Sequence, residues 1–118
     1  MKARNLALAL TIIAAVFLSF STASAHEPSS LTLNYDSSSQ MLSVRIGHYS
    51  FDVTVDYISS VEVKVNGNPY QTFNYTSQYD KNIAAYSYKI EANPGDQIEV
   101  TATSKLGGSK TSSITVGS

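Results

Sequence analysis

Tyr57-Ile58-Ser59-Ser60-Val61-Glu62-Val63-Lys64-Val65-Asn66-Gly67 decides how this chain folds. Val61, Val63 and Val65 alternate with Glu62 and Lys64, and a period of two puts the valines on one face of a strand. Asn66-Gly67 then offers the two positive-φ residues of a type I′ hairpin turn. A returning strand is therefore predicted from about Tyr70 to Thr76.

The same alternation spreads in both directions. Upstream, Leu31, Leu33 and Tyr35 share a face before a turn at Asp36 to Ser39. Leu42, Val44, Ile46 and His48 share the inward face of the next strand. Downstream, Tyr86, Tyr88, Ile90 and Ala92 lead to Asn93-Pro94-Gly95-Asp96, where proline followed by glycine suits a type II turn. Ile98, Val100, Ala102 and Ser104 face inward on the following strand. Gly107-Gly108 turns the chain, and Ile114 and Val116 close it. About seven short strands without a convincing helix predict an all-β chain, an immunoglobulin-like seven-stranded antiparallel β-sandwich. The least regular stretch, Tyr49 to Asp56, is a loop of the kind that carries binding sites.

The first 25 residues read differently. Lys2 and Arg4 precede a largely apolar run from Leu6 to Phe20, and Ala23-Ser24-Ala25 is a small-x-small cleavage site. This is the pattern of a secretory signal peptide over 1–25. Removing it leaves 93 of the 118 residues, 26–118, as one domain with one core. Such a product keeps no stable membrane span and is expected outside the cytoplasm: secreted, periplasmic or at the cell surface. Taking Lys2 and Arg4 from the 8 basic residues leaves 6 against 9 acidic ones, a net charge of −3. Nucleic acid is not an expected partner. A protein or cell-surface partner is compatible with the composition. The absence of cysteine excludes disulfides and thiolate chemistry.

Two histidines stand where chemistry could gather. His26 would begin the mature chain. His48 ends an inward-facing run, and Asp56 closes the irregular loop that follows it. A loop that leaves and rejoins one sandwich can bring its ends together, so His26, His48 and Asp56 are candidate metal ligands. The plainer alternative is a histidine at a strand edge and an aspartate in a turn.

Several stretches resemble a known family. They are His26-Glu27-Pro28-Ser29, His48 to Ile58, Val61 to Gly67, Tyr75-Thr76-Ser77-Gln78, Gly95 to Ser104, and Gly108-Ser109-Lys110. Together they are similar to the iron-binding domain of desulfoferrodoxin and its superoxide reductase relatives. The resemblance implies an immunoglobulin-like sandwich and a ferrous ion held by four histidines and one thiolate. It aligns His26 and His48 with two of those histidines. Asp56 falls where the family has a third, Ser104 falls at the thiolate, and no histidine follows Ser104. A serine hydroxyl cannot push electron density onto iron as a thiolate does, so the resemblance points to metal binding without superoxide reductase activity. Two histidines and a carboxylate suit ferrous iron.

Zinc and copper are alternatives. The α-amine that cleavage would leave on His26, together with its ring, would add nitrogen donors suited to copper. The remaining candidates are less specific. Tyr49, Tyr57, Tyr70, Tyr75 and Tyr79 fall near loops, where they either present a sugar- or protein-binding surface or fill the core. Asn74-Tyr75-Thr76 is a glycosylation sequon. Ser104 lacks any nucleophile motif around it. A non-catalytic divalent-metal module is the expected function, with a metal-free adhesion or structural module as the alternative.

Overall fold

A computed structural model describes residues 26–117. The expected signal peptide, 1–25, lies outside the described residues. Seven strands follow in order: β1 (Ser30–Asp36), β2 (Met41–Gly47), β3 (Ile58–Val65), β4 (Asn68–Asn74), β5 (Ile83–Lys89), β6 (Gln97–Ser104) and β7 (Ser109–Thr115). They form two antiparallel sheets, β1-β2-β5 and β4-β3-β6-β7. Among the described residues there is no helix, and hence none long and apolar enough to cross a membrane.

The turn at Asn66-Gly67 sets the register of the second sheet. Asn66 has φ 53° and Gly67 φ 81°, the mirror-image turn whose twist suits paired strands. Pairing resumes at once, with Val65 opposite Asn68. β4 accordingly begins two residues earlier than the alternation alone predicts. A bulge between Val63 and Lys64 leaves Tyr70 unpaired, and Pro69 is tolerated because β4 is an edge strand.

The core forms where the predicted inward phases meet. Leu42, Val44 and Ile46 of the first sheet face Val61, Val63, Ile98, Val100 and Ala102 of the second, all buried. A second bulge, between Ile58 and Ser60, shifts the phase of β3. Ile58 and Val61, three apart, therefore both point inward. β5 starts at Ile83 because Gly47 pairs with it, and it ends at Lys89. Beyond it Ile90 and Ala92 stay buried, held by the Tyr35 hydroxyl, which donates to the Ile90 carbonyl at 2.6 Å.

Aromatic rings close one side of the sandwich. Phe73 stacks on Tyr88 with centroids 3.8 Å apart, and Tyr75 on Tyr86 at 4.2 Å. β4 and β5 are edges of different sheets, so these stacks join the two layers. The Tyr75 and Tyr88 hydroxyls share a hydrogen bond of 2.6 Å. Burial, then the neighbouring Tyr75, raises the Tyr86 hydroxyl to about 12, and burial drives that of Tyr88 up as well. The tyrosines thus divide. Tyr35, Tyr75, Tyr86 and Tyr88 pack on or in the core, whereas Tyr49, Tyr70 and Tyr79 are exposed.

Antiparallel pairing also sorts the connections into two ends. The segments 48–57, 75–82 and 105–108 gather at the end where β1 begins; 37–40, 66–67 and 90–96 gather at the other. The strand phases make a direct prediction. Ile46→Ala and Val100→Ala should each cost about 2–4 kcal/mol of stability. Lys64→Ala and Glu99→Ala, on the outer phase, should stay within about 0.5 kcal/mol. Chemical denaturation giving similar losses for both pairs would refute the phase assignment.

Candidate functional site

Two strands end on polar residues that keep the inward phase. β2 buries Leu42, Val44 and Ile46, and one step past its end the same face carries His48, 2% exposed. β6 buries Ile98, Val100 and Ala102 and ends on Ser104, 3% exposed. Asp56, 2% exposed, comes just before β3, whose Ile58 pairs with Ser104. The packing that makes the core therefore carries three polar side chains to one end of it.

All four sequence-predicted site residues meet there. His48 Nε2 lies 3.2 Å from Asp56 Oδ1, and His26 Nδ1 lies 3.3 Å from Asp56 Oδ2. Ser104 Oγ is 3.2 Å from His48 Nε2 and 3.5 Å from Asp56 Oδ1. Among the described residues, these two imidazoles are the ion-pair partners of Asp56. A buried carboxylate is costly unless a cation or several hydrogen-bond donors accompany it.

The loop delivering Asp56 is irregular but well fastened. The Asp52 carbonyl accepts from the amides of Val55 and Asp56, at 3.0 and 2.8 Å. The Asp52 carboxylate accepts from the Thr54 amide and hydroxyl, and these bonds hold its carboxyl below the usual range. The Ser50 hydroxyl donates to the Asp56 carbonyl, and the Ser50 amide to the Lys81 carbonyl at 2.7 Å.

Gln78 is the site residue that sequence reasoning missed. It is buried, and its side chain is fully bonded. Nε2 donates to the carbonyls of His48 at 2.9 Å and Asp80 at 2.8 Å. Oε1 accepts from the Ile58 amide at 3.2 Å and stands 2.9 Å from His48 Nδ1. Amides only donate and carbonyls only accept, so these partners fix which way the Gln78 amide faces. His48 Nδ1 must then carry a proton toward Oε1. Its Nε2 then faces Asp56 Oδ1 and Ser104 Oγ, each at 3.2 Å. No period or motif marks this role in the sequence, because Gln78 lies in the connection between β4 and β5.

A pocket of about 290 Å³ opens over the pair, lined by His26, Glu27, Ser29, His48, Tyr49, Phe51 and Asp56. Its rim is aromatic, since Tyr49 is 70% and Phe51 58% exposed. Val55, Tyr79 and Leu106 are exposed on the same end. Among the described residues no group of three His, Cys, Asp or Glu side chains stands ready-made as a metal cage. The imidazoles instead take different oxygens of Asp56. Four imidazoles and a thiolate are not present, so the five-ligand iron centre implied by the resemblance does not fit these residues. Two nitrogens and a carboxylate suit a simpler cation site. Ser104, His48 and Gln78 do stand in nucleophile, base and orienter order. However, Ser104 is enclosed, with Asp56 crowding the same nitrogen, so the arrangement offers no access for acyl chemistry.

Gln78→Leu should strand the Ile58 amide and His48 Nδ1 in the interior and cost about 2–4 kcal/mol. Ser77→Ala, at an exposed neighbour, should stay within about 0.5 kcal/mol. Equal denaturation midpoints for the two variants would remove Gln78 from the site.

A scan against protein-family models finds no match to this chain, and a search of the curated proteins finds no match either.

Proposed function

We propose that this chain is an exported immunoglobulin-like β-sandwich that binds one divalent metal ion through His26, His48 and Asp56. The observation that carries the reading is the orientation of His48. Gln78 Oε1 accepts a hydrogen bond from Nδ1 and leaves Nε2 3.2 Å from a buried carboxylate. Ligating histidines are typically held in this way, with the second nitrogen tied to an oxygen acceptor. Export is supported by the leader pattern in residues 1–25. The immunoglobulin-like label is supported by the strand order, with β2 central in one sheet and the β3–β6 pair central in the other.

Iron is favoured by the resemblance, and zinc and copper by the same donor set. Without a thiolate the site is expected to hold its metal weakly and to leave superoxide unreduced. His26 and His48 would supply the nitrogens and Asp56 the charge-neutralising oxygen.

A second reading, a metal-free binding module at the cell surface, has separate support. Every buried side-chain nitrogen and oxygen among the described residues already has a hydrogen-bond partner. The aromatic rim of the pocket would then receive the partner.

Calorimetric titration of the purified protein with ferrous iron, zinc and copper separates the two. The metal reading predicts one equivalent bound, with affinity reduced at least about tenfold in Asp56→Asn and lost in His48→Ala. Copper preference abolished by a residue added before His26 would identify the terminal amine as a donor. Titrations of wild type that match those of His48→Ala would leave the metal-free module.

A further inference from the structure

His26 belongs to neither sheet. It sits on a short strap, 26–29, that precedes β1 and passes over the turn between β6 and β7. Pro28 in this strap is fully buried and holds its φ fixed. The Ser29 amide donates to the Gly47 carbonyl at 2.7 Å, tying the strap to the end of β2.

The third attachment is a missing side chain. A Cβ placed on Gly108 would stand 2.6 Å from Glu27 Cβ, 2.9 Å from Glu27 Cα and 3.1 Å from Glu27 N. Two of those atoms are backbone, so no rotamer change relieves the overlap. The strap itself would have to lift, and Glu27 is the residue next to His26. Lifting it draws the His26 ring away from Asp56, 3.3 Å from its Nδ1. Gly67 provides the contrast. Its φ is +81° against +87° at Gly108, yet a Cβ there would meet nothing within 4 Å. The two glycines carry the same backbone demand, and only Gly108 carries the strap.

We infer that Gly108 is a positioning residue for the His–Asp site, its bare Cα forming the seat that holds His26 against Asp56. The inference rests on the metal reading for one of its two readouts. The other concerns a contact that exists without metal.

In the metal-free protein, Asp56→Asn should move the ¹⁵N resonances of the His26 ring in the wild-type background. In Gly108→Ala the same change should leave them in place, whereas Gly67→Ala should behave as wild type. Pro28→Gly loosens the strap without touching the β6–β7 turn. It should uncouple His26 from Asp56 as well, and it decides the question if Gly108→Ala does not fold. With zinc alone as the probe, Gly108→Ala and His26→Ala should each weaken binding by a similar factor, about tenfold. The double variant should be no weaker than either single one. His26 resonances that still respond to Asp56→Asn in folded Gly108→Ala, or in Pro28→Gly when it serves as the deciding variant, would overturn the inference. So would a double variant that loses the product of the two factors. If wild type binds no zinc, the resonance comparison alone decides the role of Gly108, and the iron and copper titrations decide the metal reading separately.

Discussion

The Asp56 carboxylate, buried between two imidazoles, is the constraint around which one end of this sandwich is arranged. Taking a carboxylate out of water costs several kcal/mol unless charge and hydrogen bonds replace the lost solvent. Separate segments answer that demand. The end of β2 brings His48, the N-terminal strap brings His26, and the end of β6 brings Ser104. Gln78, from the β4–β5 connection, holds His48 in the orientation that makes its Nε2 the atom facing Asp56. Each segment alone would be an ordinary loop or strand end. Together they make a polar site beneath an aromatic rim.

The two ends of the sandwich solve the same packing problem in different ways. At the far end, Asp96 accepts from the Asn93 amide and the Asn66 side chain, and Asn66 Oδ1 accepts from the Gln97 amide. Those bonds hold the Asp96 carboxyl low, and the groups remain in water. That is turn chemistry. At the near end Asp56 is buried beside His48, Gln78 and Ser104, and exposed Tyr49, Phe51 and Tyr79 lie on the same end. Burial and the two histidines together distinguish the near end from the turn at the far end.

How far the sequence reaches follows from what periodicity can encode. His48 and Ser104 continue an alternation of two, so their inward direction is legible from Leu42, Val44 and Ile46 and from Ile98, Val100 and Ala102. The Asn66-Gly67 turn sets the hairpin register, although the alternation places the start of β4 late because Pro69 and Tyr70 interrupt the pattern. Asp56 is legible only as the end of a loop. Gln78 is not legible as a site residue: it lies in a connection without a period, and its partners, His48, Ile58 and Asp80, follow from no alternation. The seat at Gly108 is hidden for a similar reason. A glycine pair reads as a turn, and its contact with Glu27 joins residues far apart in the chain.

The central claim is that Gln78 fixes the tautomer of His48 and thereby aims Nε2 at Asp56. Nitrogen-15 NMR of the imidazole rings tests it most directly, because protonated and unprotonated ring nitrogens resonate far apart. The account predicts that Nδ1 of His48 carries its proton in both metal-free and zinc-treated protein, and that any change on adding zinc falls on Nε2. An unprotonated Nδ1 beside a protonated Nε2 in the metal-free protein would contradict it, since Gln78 would then hold no proton of His48 and nothing would present Nε2 as a donor atom.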